Sequence, residues 1–173
     1  MKSLLAFCLR RFIVFLSFII LNLMIKILMN IWRRMPMWIH VLATRLTQPK
    51  FNAGVCTLIF DDSGKVLLFK HTYRKYEWGI PGGGLEYGEQ PIHAIVREFY
   101  EESNIKIEVK KLLKVASAKE FPHLSIVYLC EIISGEFKPS HEISEMKYFD
   151  VSDLPQMLYA EKDLIQWAAK EIQ

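Results

Sequence analysis

Three glutamates in this sequence have the spacing that brings side chains together on one side of a helix. Glu98, Glu101 and Glu102 stand at positions i, i+3 and i+4, and residues three and four apart are neighbours on an α-helix. Three like charges in one small patch repel each other, and a cation bound between them removes the repulsion. Carboxylate oxygens suit Mg²⁺ or Mn²⁺, which leave further positions to water and to substrate phosphates. The spacing therefore predicts a divalent metal site.

The residues around these glutamates predict the helix that must position them. Pro91 stands where a first helical turn tolerates proline, because the missing N–H has no partner there. Apolar residues then recur at i, i+3, i+4 and i+7, which predicts one buried helix face. They are Ile92, Ile95, Val96 and Phe99. A surface helix that is merely acidic is the competing interpretation.

The segment from Gly83 to Ile105 resembles the Nudix box. The pattern of that family is G-x5-E-x7-R-E-U-x-E-E-x-G-U, in which U is a bulky apolar residue. The matching positions are Gly83, Glu89, Arg97, Glu98, Phe99, Glu101, Glu102 and Ile105. Asn104 departs from the pattern, because the family has glycine there. A left-handed backbone is common just past a helix end, and after glycine Asn is the residue best tolerated there. We therefore expect Asn104 to keep that backbone shape.

The resemblance implies a hydrolase that cleaves a diphosphate linked to another moiety. A phosphoanhydride repels a nucleophile unless divalent cations neutralise it, and the same cations lower the pKa of a bound water. We therefore expect Mg²⁺ as the cofactor, with Mn²⁺ as the alternative. The expected ligands are the carboxylates of Glu98, Glu101 and Glu102 and, as the resemblance implies, the carbonyl of Gly83. Glu98 and Glu101 are also expected to take part in catalysis.

Two further residues of the box are expected to orient these carboxylates. Arg97 lies four residues before Glu101, so its guanidinium can fork onto that carboxylate and fix its rotamer. Glu89 has the same supporting role in this interpretation. Arg97 is counted among the catalytic residues as well.

The general base is open, because relatives use either a glutamate of the box or one from a distant loop. The loop HEISE before Met146 offers Glu142 and Glu145, and Glu142 is the preferred base or extra metal ligand. Glu120 is a weaker candidate. For Glu142, a solvated loop carboxylate is the competing interpretation.

A basic segment precedes the box in the sequence. In Nudix proteins a positive residue near this position often contacts substrate phosphate, so Lys70, His71 and Arg74 are candidates for substrate binding. Any one of them could equally well be a solvated charge of the loop.

Three functions fit these residues. The first is a Mg²⁺-dependent hydrolase of a small-molecule diphosphate, with a nucleoside diphosphate derivative as the expected substrate. The second is a Nudix domain that senses such a ligand without turnover, and the intact set of glutamates argues against it. The third is a membrane-anchored hydrolase of a lipid-linked pyrophosphate. The signatures of coenzyme A hydrolases and NADH diphosphatases are absent, so the identity of the substrate stays open.

The N-terminal segment has the composition of a membrane helix. The stretch Phe12–Ile31 is dominated by Leu, Ile, Val and Phe, and Lys26 is its only charge. A helix of about 20 apolar residues can cross a bilayer core of roughly 30 Å, so a spanning anchor is favoured. A polar stripe along it would also suit a helix in the membrane interface, and packing against protein is the third alternative. The stripe consists of Asn22, Lys26, Asn30 and Arg33.

The chain is expected to have three parts. They are a membrane-anchor helix in residues 1–35, a short amphipathic helix with a linker in residues 36–50, and a Nudix domain in residues 51–173. Pro36 ends the first helix in this interpretation, and Arg34 and Arg45 are available to anionic headgroups. The excess of Lys and Arg after the apolar stretch favours a membrane-associated protein whose catalytic domain is cytoplasmic.

Composition argues against other classes of partner. The net charge of +3 is small, and no basic stripe with interleaved aromatics follows Thr47, so nucleic acid is not an expected partner. The cysteines, Cys8, Cys56 and Cys130, are widely spaced, which indicates free thiols instead of disulfides or a metal site. The sequence does not predict the oligomeric state.

The soluble part has β-rich runs on both sides of the box and a helix at its end. Val55–Phe60 and Val66–Phe69 flank a turn cluster and are predicted to form a hairpin. Further strands are predicted at 106–115, 124–133 and 146–151, a helix start at Ser152, and a last helix over 160–172. This order indicates an α/β or α+β protein. The resemblance implies an α/β/α sandwich with a mixed sheet, preceded by the N-terminal hydrophobic helix.

Overall fold

The structure is a computed structural model that describes residues 2–48, 50–117 and 122–172, with side chains from residue 15 onward. It divides the chain into two compact units, Met1–Pro49 and Lys50–Gln173. Glu120 and the side chain of Cys8 lie outside the described part of the chain.

The first unit consists, in its described residues, of two helices. Helix α1 spans Lys2–Arg34 and helix α2 spans Met37–Thr47. Pro36 is the N-cap of α2, where proline ends one helix and is tolerated at the start of the next. The Nε2 atom of His40 lies 2.8 Å from the carbonyl oxygen of Trp32, and the two ring centroids are 4.4 Å apart. These contacts join the two helices across the turn at Pro36.

Part of α1 is long and apolar enough to cross a membrane. This stretch is Phe15–Arg34, and none of it is buried within the structure. Its length and composition give it this character, which signal sequences near an N-terminus share. Helix α2 buries none of its residues either, and Trp38 and Leu46 are among its exposed apolar side chains.

The described residues of the second unit form seven strands and two helices. The strands are β1 Asn52–Leu58, β2 Val66–His71, β3 Trp78–Gly79, β4 Gly82–Gly84, β5 Ile105–Ser117, β6 His123–Gly135 and β7 Ile143–Phe149, and the helices are α3 Pro91–Ser103 and α4 Tyr159–Ile172. They build a four-stranded sheet with the order β4-β1-β6-β5 and a three-stranded sheet with the order β3-β2-β7. The first sheet is mixed, because β1 pairs in parallel with β6 and antiparallel with β4.

Strand β2 shows how the sheets are covered on both faces. Its successive residues Val66, Leu67, Leu68 and Phe69 are all fully buried, whereas a strand with one solvent-facing side would alternate. Val66 and Leu68 belong to the apolar cluster that includes residues of α4. Leu67 and Phe69 belong to the cluster that includes residues of α3. Helices therefore lie on both sides of the β-structure, which confirms the expected α/β/α sandwich.

The predicted hairpin between residues 55–60 and 66–69 is wrong. The turn itself forms, since the N–H of Gly64 donates to the carbonyl of Asp61 at 2.9 Å, and Phe60 and Val66 make one antiparallel bridge. The pairing stops there, because β1 is already bonded on both edges, to β4 and β6. Strand β2 pairs instead with β3 and β7 in the other sheet.

Two details of the helices also differ from the prediction. In α3 the buried apolar residues are Ala94, Ile95 and Phe99, whereas Ile92, in the first turn, is 45% exposed. Ser152 does not start a helix. Its N–H and its hydroxyl both donate to the Asp150 carboxylate, at 2.9 and 2.7 Å, so it closes a local turn of the kind that competes with helix formation.

Asn104 has the left-handed backbone that the sequence predicts. It is the C-cap of α3 with φ 62° and ψ 18°, and its N–H donates to the carbonyl of Tyr100 at 2.7 Å. Asn and Gly adopt this conformation at little cost, whereas a β-branched side chain clashes there.

We expect Asn104→Gly to change the free energy of unfolding by no more than about 1 kcal/mol and to keep activity. Asn104→Val should be clearly less stable than Asn104→Gly, because valine is strained at positive φ. Thermal unfolding of residues 47–173 measures both. Equal melting temperatures for the two variants would show that the backbone at this position does not matter.

Candidate active site

Arg97 connects the acidic residues of α3 to the segment before the helix. Its Nε and Nη2 atoms donate to the two carboxylate oxygens of Glu89, at 2.9 and 2.8 Å. Its Nη1 atom donates to Glu98 at 2.9 Å and to Glu101 at 3.1 Å, and Nη2 also reaches the carbonyl of Gly84 at 3.1 Å. A planar guanidinium is suited to such forked contacts. The hydrogen bonds from Arg97, with one from the Glu86 backbone, lower the pKa of Glu89 to about 2.

The glycines of β4 bring the backbone close to this cluster. A Cβ atom on Gly83 would lie 2.2 Å from a carboxylate oxygen of Glu98, and one on Gly82 would lie 2.2 Å from the carbonyl oxygen of Val55. The carboxylate of Glu98 therefore lies directly against the Gly83 backbone. At Gly82 a side chain would clash with backbone, and at Gly83 it would displace the Glu98 carboxylate, whereas a Cβ on Gly84 would meet open space.

Glu102 is the buried carboxylate of the site. It is 7% exposed, and its Oε2 atom accepts a hydrogen bond of 3.3 Å from the N–H of Gly82. Burial raises its pKa to about 8, with further contributions from the charges of Glu98 and Glu142, while Arg74 acts in the opposite direction. Carboxylates that raise one another's pKa need a positive charge between them when all are ionised.

Glu101 lies apart from this pair. Its side chain is 59% exposed and is held by Arg97. In the part of the chain that the structure describes, no three His, Cys, Asp or Glu side chains are close enough together to hold a metal ion. The donors that are present still fit a hard divalent cation, because Glu98, Glu102 and the backbone at Gly83 supply only oxygen. Which of these groups bind metal stays a prediction.

The structure separates the two glutamates of the HEISE loop. Glu142 is exposed and lies near enough to Glu102 to raise its pKa. Glu145 instead accepts a hydrogen bond of 2.7 Å from the ammonium of Lys70. Glu142 is therefore the loop residue next to the acidic cluster, and its role as the base stays a prediction.

The three basic candidates have different surroundings. Lys70 pairs with Glu145, as described above. His71 is 1% exposed and does not line the cavity described below, and its contact with substrate stays a prediction. Arg74 does line the cavity, and its Nη1 atom lies 3.5 Å from the carboxylate of Glu161.

A cavity of about 500 Å³ lies beside the glycines of β4. Its wall combines β1, β4, the facing ends of β5 and β6, and the start of α4. The charged side chains of this wall and its histidine are Arg74, Lys114, His123, Glu161 and Asp163. Sequence reasoning singled out Arg74 alone, because the others come from separate elements and carry no motif. Burial also raises the pKa of Glu161 and of the cavity thiol Cys56, the latter to about 12.

Comparison with known proteins agrees with this geometry. The family model described as the NUDIX domain matches residues 50–169. The chain is 32% identical over 119 residues to an ADP-ribose pyrophosphatase of Methanocaldococcus jannaschii, covering 63% of this chain and 70% of that protein. It is 30% identical over 105 residues to diphosphoinositol polyphosphate phosphohydrolase 2 of Mus musculus, covering 59% of each protein. The chain thus spans less than two thirds of the length of the mouse relative.

A solved structure shows the same fold. A MutT NUDIX hydrolase from Burkholderia pseudomallei is 29% identical with a TM-score of 0.60, and the match covers 68% of this chain and 98% of that one. With the motif, the fold and the family model in agreement, the chain belongs to the Nudix family. It is a Nudix hydrolase, an enzyme that acts on phosphoanhydrides.

We expect Glu101→Gln to lower kcat by at least about 100-fold, because the predicted metal site would lose one negative charge while the shape of the side chain is kept. Steady-state kinetics on an authentic substrate with Mg²⁺ measure the effect. Glu131→Gln, an exposed carboxylate on β6, is the control and should be unchanged. Full activity of Glu101→Gln would remove Glu101 from the metal and catalytic assignments.

His71 should make stability depend on pH. Burial, helped by the charge of Arg74, lowers its pKa from 6.5 to about 4, so between these values the unfolded chain takes up a proton that the folded chain does not. Titration of His71 therefore leaves the free energy of unfolding unchanged above pH 6.5. At pH 5 it lowers that free energy by about 2 kcal/mol.

Urea unfolding of residues 47–173 at pH 7.5 and pH 5 tests this expectation. The loss of stability between the two pH values should be smaller in His71→Gln than in the wild type by about 2 kcal/mol. The same loss in both proteins would mean that His71 titrates normally in the folded chain.

Proposed function

We propose that this Nudix hydrolase cleaves the diphosphate of a nucleoside diphosphate derivative in a reaction that depends on a divalent cation. The observation that carries the proposal is that the acidic cluster and the cavity share a border. Gly82 and Gly83 border the acidic cluster on one side and line the cavity on the other. A diphosphate held at these glycines would place its attached group in the cavity, whose volume is in the range of small-molecule sites. The name of the archaeal relative, an ADP-ribose pyrophosphatase, supports this substrate class.

The metal in this proposal is Mg²⁺, with Mn²⁺ as the alternative. Glu98, Glu102 and the carbonyl of Gly83 would hold it, with Glu101 as a further ligand once it leaves Arg97. A bound divalent ion neutralises phosphate charge and lowers the pKa of water.

The other residues of the site position groups or move a proton. Arg97 fixes the rotamers of Glu98 and Glu101 through its hydrogen bonds, and Glu89 fixes Arg97 in turn. Arg74, which lines the cavity and pairs with Glu161, would contact a phosphate from the cavity side. Glu142 is proposed to accept the proton of the attacking water as the new P–O bond forms and the anhydride P–O bond breaks.

We also propose that the first unit attaches the enzyme to a membrane. The exposed apolar stretch Phe15–Arg34 has the length of a bilayer span. Helix α2 exposes Trp38, Leu42 and Leu46 and has Arg45 in its last turn, a combination suited to the headgroup region. A spanning helix is favoured over an interfacial one, with the catalytic domain on the cytoplasmic side.

The enzymatic proposal is tested with a panel of nucleoside diphosphate derivatives, residues 47–173 and Mg²⁺. We expect hydrolysis of at least one member at the diphosphate, and loss of that activity on addition of EDTA. Turnover that survives EDTA would contradict the dependence on metal. Tight binding of a panel member without turnover would favour the sensor function instead.

We expect the full-length chain to fractionate with membranes and to resist extraction by salt and carbonate. Residues 47–173 should stay soluble and active, because every buried apolar residue in the described part of the chain lies between Val55 and Ala168. Sucrose-gradient fractionation followed by carbonate washing measures this. Release by carbonate would favour the interfacial pose, and a full-length chain that is soluble without detergent would contradict both membrane poses.

A further inference from the structure

Glu161, at the start of α4, turns one carboxylate oxygen into the protein. Its Oε2 atom is buried. A Cβ atom on Gly79 would lie 3.1 Å from this oxygen, 3.0 Å from Arg74 Nη1 and 3.2 Å from His71 Nε2. Gly79 and His71 do not line the cavity, so Oε2 lies against β2 and β3 and is closed to a ligand in the cavity. The proposed mechanism gives this carboxylate no part.

The group that Glu161 does contact is the guanidinium of Arg74. The Oε1 atom accepts a hydrogen bond of 3.5 Å from Arg74 Nη1, and the two side chains are 21% and 30% exposed. The Tyr73 ring is a more distant neighbour, with its centroid 5.9 Å from Arg74 Cζ. An arginine side chain has many rotamers, and a partly buried ion pair is screened less than an exposed one. Glu161 is therefore placed to select the rotamer of Arg74.

A second carboxylate attracts the same guanidinium. Burial raises the pKa of Glu102, and the charge of Arg74 acts against that rise, so Arg74 lies within electrostatic range of the acidic cluster. A carboxylate has about four acceptor positions, and Glu102 uses one of them for the N–H of Gly82. A guanidinium that moved onto Glu102 would neutralise it and repel a divalent cation. Arg74 in that place would block the predicted metal site.

On the cavity side, Arg74 has a different use. It lines the cavity together with Gly82 and Gly83, at the border where the proposed function places the diphosphate. The N–H groups of a guanidinium form a planar fork that matches phosphate oxygens. The same side chain would thus help binding at the cavity and hinder it at Glu102, and the ion pair with Glu161 favours the cavity.

We propose that Glu161 is a positioning residue, which holds Arg74 at the cavity border where a substrate phosphate binds and keeps it off Glu102, where a metal ion binds. This inference rests on the proposed function, because it needs the phosphate and the metal ion at that border. Glu161 contacts neither of them and acts through Arg74. Its loss should therefore weaken two kinds of binding, and additional removal of Arg74 should restore one of them.

The first experiment measures Mn²⁺ binding to the full-length chain in detergent by isothermal titration calorimetry. Glu161→Gln should weaken Mn²⁺ binding about tenfold, the scale of changes next to a metal site, because the released guanidinium competes at Glu102. Arg74→Ala combined with Glu161→Gln should bind Mn²⁺ within about twofold of the wild type, because coupled residues are not additive. A defect of folding alone would persist in the double variant.

The second experiment measures kcat and KM at saturating Mg²⁺, with ADP-ribose or with any panel member that the wild type hydrolyses faster. Glu161→Gln should raise KM about tenfold, the effect of losing one hydrogen bond from a charged group, with kcat within about threefold, as expected for lost binding. Arg74→Ala should raise KM at least as much, and the double variant should be no worse than Arg74→Ala. Glu171→Gln, at the exposed end of α4, is the matched control and should match the wild type in both experiments.

Circular dichroism checks that each variant folds. If Glu161→Gln does not, Glu161→Asp, which keeps the charge on a shorter side chain, replaces it with the same expected directions. Unchanged KM and Mn²⁺ affinity in the Glu161 variant, or a loss of Mn²⁺ binding that persists when Arg74 is also removed, would overturn the inference. A wild type that binds no Mn²⁺, or that hydrolyses no member of the panel, would instead contradict the proposed function, and the inference with it.

Discussion

The contact between the Glu98 carboxylate and the bare backbone of Gly83 determines much of this site. It requires glycine in β4, since a Cβ at Gly83 would lie 2.2 Å from that carboxylate, and it requires α3 to pack with its acidic side against the strand. The apolar side of α3 supplies that packing. Ile95 and Phe99 are fully buried, and burial of such a side chain contributes about 1.5–3 kcal/mol. The helix is thus held by its apolar face, while Arg97 sets the direction of the carboxylates.

The same two glycines connect the acidic cluster to a cavity of a different character. On the cluster side, burial and like charges raise the pKa of Glu102, an effect that a bound cation would offset. On the cavity side, Arg74 and Glu161 form a fixed pair from opposite ends of the catalytic unit. In the proposed function the acidic cluster holds the diphosphate, and the cavity holds the group attached to it.

The local features of this protein could be predicted from its sequence, and the long-range ones could not. Pro91 and Asn104 mark the ends of α3 because their backbone preferences act within a few residues. The prediction that β1 pairs with β2 was wrong, because a short turn indicates a hairpin whether or not other strands bind the same edge. The prediction that Ser152 starts a helix was wrong, because its side chain bonds to the nearby Asp150. Glu161 carries no motif at all, and its contact with Arg74 comes from the packing of α4.

The binding of Mn²⁺ to residues 47–173, measured by isothermal titration calorimetry, tests the central claim most directly. The account predicts that the wild type binds Mn²⁺ and that Glu98→Gln and Glu102→Gln each weaken binding at least about tenfold, the scale on which changes at a metal site act. The exposed variant Glu131→Gln should bind like the wild type. Equal Mn²⁺ affinity in the wild type and in both box variants would contradict the account, because the carboxylates against Gly82 and Gly83 would then not be the metal site.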